Sequence, residues 1–170
     1  MSFFLSGYPL LATVGMLDDL PSMSRRSGMI ADVRVLSQEV REDAKKRIIT
    51  LTKLQVDEGL KGISKGEILT LYQVGGSLNG RVMHLEGSSV YRPGERLVWF
   101  GFPLQENVVS YGLGLGKFKV VSGERGLEVF EELGDLKLAR RPHTYLLLAN
   151  PSPRHFKSLE RFKAVIRSAL

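Results

Sequence analysis

Residues 97–102 read Leu-Val-Trp-Phe-Gly-Phe, and Pro103 follows them. Because the run offers no polar side chain, a strand formed here needs cover on both of its faces. The run has a typical strand length and is too short for a buried helix. Proline cannot donate a hydrogen bond to a neighbouring strand, so Pro103 is a natural end. The run therefore predicts a central β-strand.

The segments on either side of this run alternate between apolar and polar residues. In residues 29–35, apolar side chains at positions 31, 33 and 35 alternate with Asp32 and Arg34, which predicts a strand with one face in water. Residues 47–57 carry apolar side chains at 49 and 51 in one phase and at 54 and 56 in the other. A bulge near Thr52 or Lys53 reconciles the two phases. Similar alternation predicts strands at 68–74, near Phe118 and near Leu127.

The glycines indicate how these strands are connected. Fourteen of the 18 glycines lie between Gly59 and Gly126, at intervals that suit turns between short strands rather than crossover helices. Such connections favour antiparallel pairing. A mainly β chain with about seven short strands predicts a small antiparallel barrel, similar to an oligonucleotide/oligosaccharide-binding (OB) barrel, or a sandwich. The sequence leaves these two architectures open.

A helix is predicted at each end of the β region. Residues 17–27 form a short N-terminal helix with Pro21 in its first turn and Gly28 as a left-handed cap. The C-terminal helix begins with Ser152 as its cap and Pro153 as its first residue, and its apolar side predicts docking on the sheet. The predicted organisation is an apolar segment at 1–14, a β domain at 15–150 and a basic amphipathic helix at 151–170.

Positive charge is concentrated near the C-terminus. The net charge is +6, and residues 137–170 hold eight basic side chains against one acidic side chain. The rest of the chain holds 16 basic and 17 acidic side chains and is nearly neutral. An anionic partner is therefore expected to contact the C-terminal region. The predicted contacts are Arg140, Arg141, Arg154, Lys157, Arg161 and Arg167.

No pattern in the sequence assigns a catalytic, cofactor-binding or metal-binding residue. The chain has no cysteine, and its three histidines are far apart, at positions 84, 143 and 155. The loop Gly112–Lys117 lacks the following Ser or Thr and the helix of a phosphate-binding loop. The carboxylate pairs at 18–19 and 131–132 consist of neighbours that point in different directions, whereas acid–base catalysis requires convergence. An enzyme assembled from distant residues remains open.

The N-terminus bears on localisation. Residues 3–14 are mostly apolar, but the stretch is too short to span a bilayer, and no transmembrane segment is predicted. It is a candidate remnant of an export signal, although no basic residue precedes it. The alternative is an N-terminal strand that packs on the β domain.

Five turn and strand motifs carry a family resemblance: Leu17-Asp18-Asp19-Leu20, Ser27 to Val35, Val56 to Gly62, Pro93-Gly94-Glu95 to Phe102, and Gly116-Lys117-Phe118. The chain resembles a family of exported bacterial proteins of unknown function, over roughly residues 12–122. The resemblance implies a β-barrel-like protein of the cell envelope, and a metalloprotease partner is one option because some members are encoded near such enzymes.

Together these features favour a non-enzymatic domain that binds a protein or another component of the cell envelope, with a periplasmic or secreted location. The alternative is a cytoplasmic OB-like protein that binds nucleic acid through its basic C-terminal region.

Overall fold

The structure is a computed structural model that describes residues 14–16, 18–133, 137–140, 147–149 and 153–170, with side chains for 18–133 and 153–170. None of the helices in these ranges is both long and apolar enough to cross a membrane. In chain order the elements are β1 (Val14–Met16), α1 (Leu20–Arg26), β2 (Met29–Glu42), β3 (Ile48–Lys61), β4 (Ile68–Val74), β5 (Gly76–Leu78), β6 (Arg81–Met83), β7 (Arg96–Leu104), β8 (Asn107–Ser110), β9 (Lys117–Gly123), β10 (Gly126–Glu131), β11 (Lys137–Arg140), β12 (Leu147–Ala149), β13 (His155–Phe156) and α2 (Leu159–Ser168).

Five strands close into a barrel in the order β2-β3-β4-β8-β7, and β7 pairs back with β2. Every pair in this ring is antiparallel except β4 with β8, which pair in parallel through Leu71 and Val108. In a closed ring with an odd number of strands, the strand directions cannot alternate at every pair, so at least one pair must be parallel. The ring has the five-stranded Greek-key order of an OB barrel. The predicted mainly β fold with two helices is confirmed, and of the two architectures that the sequence left open, barrel or sandwich, the closed ring of five strands is a barrel.

The barrel is filled from every wall by alternating side chains. Trp99, Leu54 and Leu71 are fully buried in this first core. A second core lies outside the barrel, and Val98 and Phe100 point into it from the other face of β7. The run at 97–102 is therefore apolar on both faces because it separates two cores. Gly101 is required there, since a Cβ would lie 2.1 Å from the Trp99 ring.

The predicted end of this strand at Pro103 is one residue too early. Pro103 pairs with Val108 inside β7, and the strand continues to Leu104. The backbone nitrogen of Pro103 points toward the β2 side of β7. The strand β2 begins at Met29, opposite Gly101, and does not extend alongside Pro103. The missing N–H therefore interrupts no ladder at this position.

The bulge predicted near Thr52 or Lys53 is wrong, because the register of β3 with β4 is continuous from Ile49 to Gln55, and the nearby bulge lies on β2 instead. Val35 pairs with Leu54 and Ser37 pairs with Lys53, so Leu36 is the extra residue. The bulge on β2 changes the phase of that strand relative to β3. From Thr52 onward β3 keeps its alternation, because Thr52 is buried in phase with Leu54 and Val56, whereas Leu51 is only half-buried.

The second core joins the barrel to both helices. The sheet continues from β7 through β9 and β10 to β13, and α1 and α2 pack against this extension. The wet face predicted for β2 is therefore wrong at Asp32, which is fully buried, and right at Arg34, which is exposed. The helix α2 covers the part of β2 that carries Asp32.

The C-terminal helix begins later than the sequence predicted. Residues 155–156 form β13, and Ser158 is the N-cap of α2, with Oγ accepting a hydrogen bond from the Arg161 N–H at 3.3 Å. Pro153 is not helical, because the chain that follows it pairs with β10. Docking of the apolar face is confirmed, since Leu159 and Phe162 are buried. Ser152 and residues 1–13 lie outside the described residues.

The N-terminal helix matches its prediction in place but is shorter at both ends. It spans Leu20–Arg26 and is capped by Asp19. Its C-cap is Ser27 with an extended backbone, and Gly28 has no positive φ, so the predicted left-handed cap at Gly28 is wrong. The hydroxyl of Ser27 instead donates to the Met23 carbonyl oxygen at 2.8 Å.

Candidate interaction surface

The two carboxylate pairs found in the sequence have separate structural roles. Asp19 Oδ1 accepts a hydrogen bond from a backbone N–H of α1 at 2.7 Å, and Asp18 pairs with Arg26 at 2.9 Å. Glu131 and Glu132 bind different cations. Within residues 18–133 and 153–170, no three His, Asp or Glu side chains are grouped as a metal ion requires.

The glycine-rich loop places its lysine inside the protein. Lys117 is fully buried, and its Nζ lies 3.0 Å from Glu95 and 2.5 Å from Glu132. The same ammonium lies 5.0 Å from the centroid of the Tyr91 ring. Lys117 is therefore a structural cation that ties β9 to the Tyr91 segment, and it does not face a phosphate.

An ion cluster under α2 joins the helix to the barrel. Asp32 accepts hydrogen bonds from Arg96 at 3.0 and 2.8 Å, and its Oδ2 lies 2.6 Å from Lys163 Nζ. Burial alone would raise the pKa of Asp32, but the hydrogen bonds from Arg96 and Lys163 outweigh it and lower the pKa. Asp32 is thus ionised and fixed between a strand and a helix.

Glu58 on β3 extends the cluster toward solvent. Its carboxylate lies 2.7 Å from Lys163 Nζ and also binds the Arg167 guanidinium. The hydrogen bond from Lys163 is the main reason that the pKa of Glu58 is lowered. Two basic residues of the C-terminal helix are therefore neutralised by the protein itself.

These shifts predict a loss of stability in acid. Asp32, Glu58 and Glu95 all have lowered pKa values in the folded protein. The unfolded chain therefore binds more protons than the folded chain near the ordinary carboxyl pKa values, and the stabilisation present at neutral pH decreases as pH falls. We expect the urea midpoint to fall between about pH 5 and pH 3. Fluorescence of the single tryptophan, Trp99, measures it, and an unchanged midpoint would contradict the ion cluster.

Arg154, one of the predicted partner contacts, is also used internally. Its guanidinium forms a two-point ion pair with Glu131, with Nε at 2.9 Å and Nη2 at 2.5 Å. It donates a further hydrogen bond to the backbone oxygen of Asp18 at 3.2 Å and lies 5.4 Å from the Phe118 ring centroid. Arg154 therefore fixes the segment before α2 and is not available to a partner.

The remaining predicted contacts divide into two groups. Arg141 lies outside the described residues, as does the side chain of Arg140, whose backbone ends β11. Lys157 and Arg161 are exposed, and neither side chain forms an ion pair with another residue in the described ranges. Of the four predicted contacts whose side chains the structure describes, these two are exposed and not held by a carboxylate.

Lys157 and Arg161 line an open groove between the β9–β10 turn and the start of α2, called the edge groove below. Its volume is about 990 Å³. Arg125, in the turn, adds a third cation, and Phe156 and the exposed Val165 contribute apolar surface. The edge groove therefore combines positive charge with an apolar floor.

The backbone beside the edge groove is also open. The short strand β13 pairs only with Val129 and Phe130 of β10. Leu127 precedes Val129 by two residues, so its N–H and C=O point toward the same edge of β10 as those of Val129, which face β13. At Leu127 no strand in the described ranges meets these groups. The side chain of the next residue, Glu128, is bound to His155, with Oε2 of Glu128 2.8 Å from Nε2 of His155. An extended peptide placed here meets both backbone groups and cations.

The outer face of β3 and β4 is the surface that OB barrels use for oligonucleotides. Tyr72 is the aromatic side chain there, and its hydroxyl accepts a hydrogen bond from Arg47 at 3.2 Å. Arg47 itself pairs with Asp43 at 2.7 Å. Lys53 is exposed on the same face. A single half-exposed ring and a self-paired arginine form a weak stacking platform.

Sequence reasoning missed the ion cluster and the Arg125 contribution. Lys163 follows Leu159 by four residues, so it lies on the buried stripe of α2 rather than on the charged side. The sequence signal for the ion cluster was a lysine, Lys163, in the apolar stripe of a helix, together with an acidic residue, Asp32, in an alternating strand. Arg125 carried no signal, because its proximity to Lys157 depends on how β10 and β13 pair.

Comparison of the chain with protein families, characterised proteins and solved structures gives no match.

Proposed function

We propose that this chain is a non-enzymatic binding domain of the cell envelope that holds an acidic, extended segment of a partner protein in the edge groove. The observation that supports the proposal is the contrast between the cations of the C-terminal region. Lys163, Arg154 and Arg167 are neutralised by buried or half-buried carboxylates. Lys157 and Arg161 are left exposed beside an open strand edge.

The local chemistry favours a peptide over a nucleic acid. Only three cations line the edge groove, and Glu124 and Glu128 lie beside them. Three phosphate contacts would give a salt slope of only about −2 on a single strand, too little for tight electrostatic binding. An extended peptide gains hydrogen bonds from the backbone of Leu127, in the manner of strand addition to a sheet edge.

The envelope location is part of the proposal and rests on the family resemblance. The N-terminus of the mature protein, taken from its native cell and measured by intact mass, tests this part separately from the binding site.

Charge reversal tests the binding site. We expect Lys157→Glu combined with Arg161→Glu to weaken binding of a fluorescein-labelled oligoglutamate peptide at least about tenfold, because two attractive contacts become repulsive. The matched control is Lys45→Glu with Lys46→Glu, which changes the net charge equally in the exposed β2–β3 turn. The control should retain the affinity within about twofold. Fluorescence anisotropy at two salt concentrations measures both.

The same titration with a thymidine oligonucleotide of equal length separates the alternative function. If the oligonucleotide binds more tightly than the peptide, and the Lys157 and Arg161 changes abolish that binding, the chain is an OB-like nucleic-acid-binding protein that uses its basic C-terminal region. Equal losses for both double variants would indicate only a general charge effect and would overturn the edge groove as the site.

A further inference from the structure

The second half of β2 has an open edge. From Met29 to Arg34 this strand pairs with β7 on one side and with β3 on the other. After the bulge at Leu36 it pairs with β3 alone, and no strand in the described ranges pairs with residues 36–42 on the other side. Residues 36–39 and 41 are exposed on both faces of the strand. A long open edge of this kind normally pairs or is blocked.

The backbone groups on this edge can be assigned from the register. The Asp43 N–H donates to the Arg47 carbonyl oxygen at 2.9 Å, toward β3. Backbone groups alternate between the two sides of a strand, so the odd-numbered residues 39 and 41 also face β3. The N–H and C=O groups of Gln38, Val40 and Glu42 therefore point outward along the open edge.

The side chains on this edge are complementary to themselves. An antiparallel copy centred on Val40 places Val40 opposite the partner's Val40. In that register Glu39 lies opposite the partner's Arg41, and Arg41 lies opposite the partner's Glu39. These are non-hydrogen-bonded positions, where cross-strand side chains approach most closely. The outward backbone groups at 38, 40 and 42 then pair with those at 42, 40 and 38.

Apolar side chains next to the edge are available for the same contact. Leu36 is 40% exposed, and Val82 and Met83 of β6 are 76% and 37% exposed. Val82 and Met83 line the same depression as Val40. Arg81 binds Glu42 and so holds β6 beside the end of β2. A second copy would cover apolar surface as well as backbone groups.

We propose that residues 36–42 of β2 pair antiparallel with the same residues of a second copy of this chain, forming a two-fold dimer that extends the sheet across both barrels. The contact is isologous, so each pairwise contact occurs twice, once on each side of the two-fold axis. The alternating charges of Glu39 and Arg41 make this register favourable, because moving the two-fold centre from Val40 to either neighbour places Glu39 opposite Glu39 or Arg41 opposite Arg41.

Charge exchange is the first test, with sedimentation velocity as the measurement. We expect a concentration-dependent dimer for the unmodified chain and at least about a tenfold weaker dimer for Glu39→Arg, which faces the partner's Arg41. Glu39→Arg combined with Arg41→Glu restores opposite charges and should recover the affinity within about threefold. Both residues are exposed, so the variants leave the barrel core unchanged.

Crosslinking is the second test and reports the register directly. The chain has no cysteine, so an engineered thiol has no competitor. Val40→Cys places two thiols on the two-fold axis at a Cα separation of about 5.5 Å, which suits a disulfide. Ser37→Cys is the control, because its register partner lies beyond the strand. A monomer at every concentration, or a dimer indifferent to charge exchange and crosslinked equally by both cysteines, would overturn the proposal.

Discussion

Replacing Asp32 by alanine should lower the free energy of unfolding by about 3–5 kcal/mol, because a buried ion pair loses one partner while the other remains buried. Asp32 has no exposed surface, and only 3% of the Lys163 side chain is exposed. Lys163 keeps Glu58 at 2.7 Å but loses its contact to β2, and Arg96 loses both of its hydrogen bonds to Asp32. Urea unfolding followed by Trp99 fluorescence measures the loss.

Two variants make this result specific to the cluster. Asp32→Ala combined with Lys163→Met removes both buried charges and should recover most of the lost stability, since apolar replacements of buried ion pairs are often neutral. Asp57→Ala removes a half-buried aspartate that pairs with the exposed Arg34 at 3.3 Å and should cost no more than about 1 kcal/mol. Equal losses for Asp32→Ala and Asp57→Ala would show that α2 does not depend on the cluster.

Much of the barrel could be predicted from periodicity because each strand carries its own pattern. The run at 97–102 predicted a central strand, and the alternation at 68–74 gave the bounds of β4 without error. Glycine spacing predicted turns, and turns favour antiparallel neighbours. None of these signals fixes which strand closes the ring, because that depends on contacts between residues far apart in the chain.

The errors share a physical origin. An alternating strand shows that it has two different faces, but it does not show what covers the second face. Asp32 was therefore assigned to water, whereas α2 places a lysine against it. The start of α2 was placed too early because Ser152 followed by Pro153 is as good a local signal as Ser158. Pairing of residues 155–156 with β10, a tertiary contact, decides between them.

The candidate surface was only partly predictable for the same reason. Charge counting located the basic region, but it could not separate paired cations from unpaired ones. Arg154 and Arg167 bind carboxylates that lie 23 and 109 residues away in the chain. Lys157 and Arg161 became the best candidates by elimination, which only the three-dimensional pairing allowed.

Phe162→Ala is the second change for which we expect a large effect, a loss of about 3–5 kcal/mol in the free energy of unfolding. The ring is 1% exposed, and its centroid lies 5.1 Å from that of Phe118 and 4.7 Å from that of Phe156. It also meets the Phe100 ring edge-on at 6.4 Å. Truncation leaves a cavity where α2, β13 and the barrel meet, and backbone rearrangement cannot readily fill it, because the ion cluster fixes the helix.

Val165→Ala on the same helix is the control, because Val165 is 40% exposed and should cost less than about 1 kcal/mol. Urea unfolding gives both values, and hydrogen exchange of the α2 amides shows whether the helix opens first. If α2 is an integral part of the second core, Phe162→Ala lowers global stability as well as protection in α2. Loss of protection in α2 with unchanged global stability would instead mean that the barrel folds without the helix. In that case the edge groove, which α2 helps to form, would be a separable appendage of the domain.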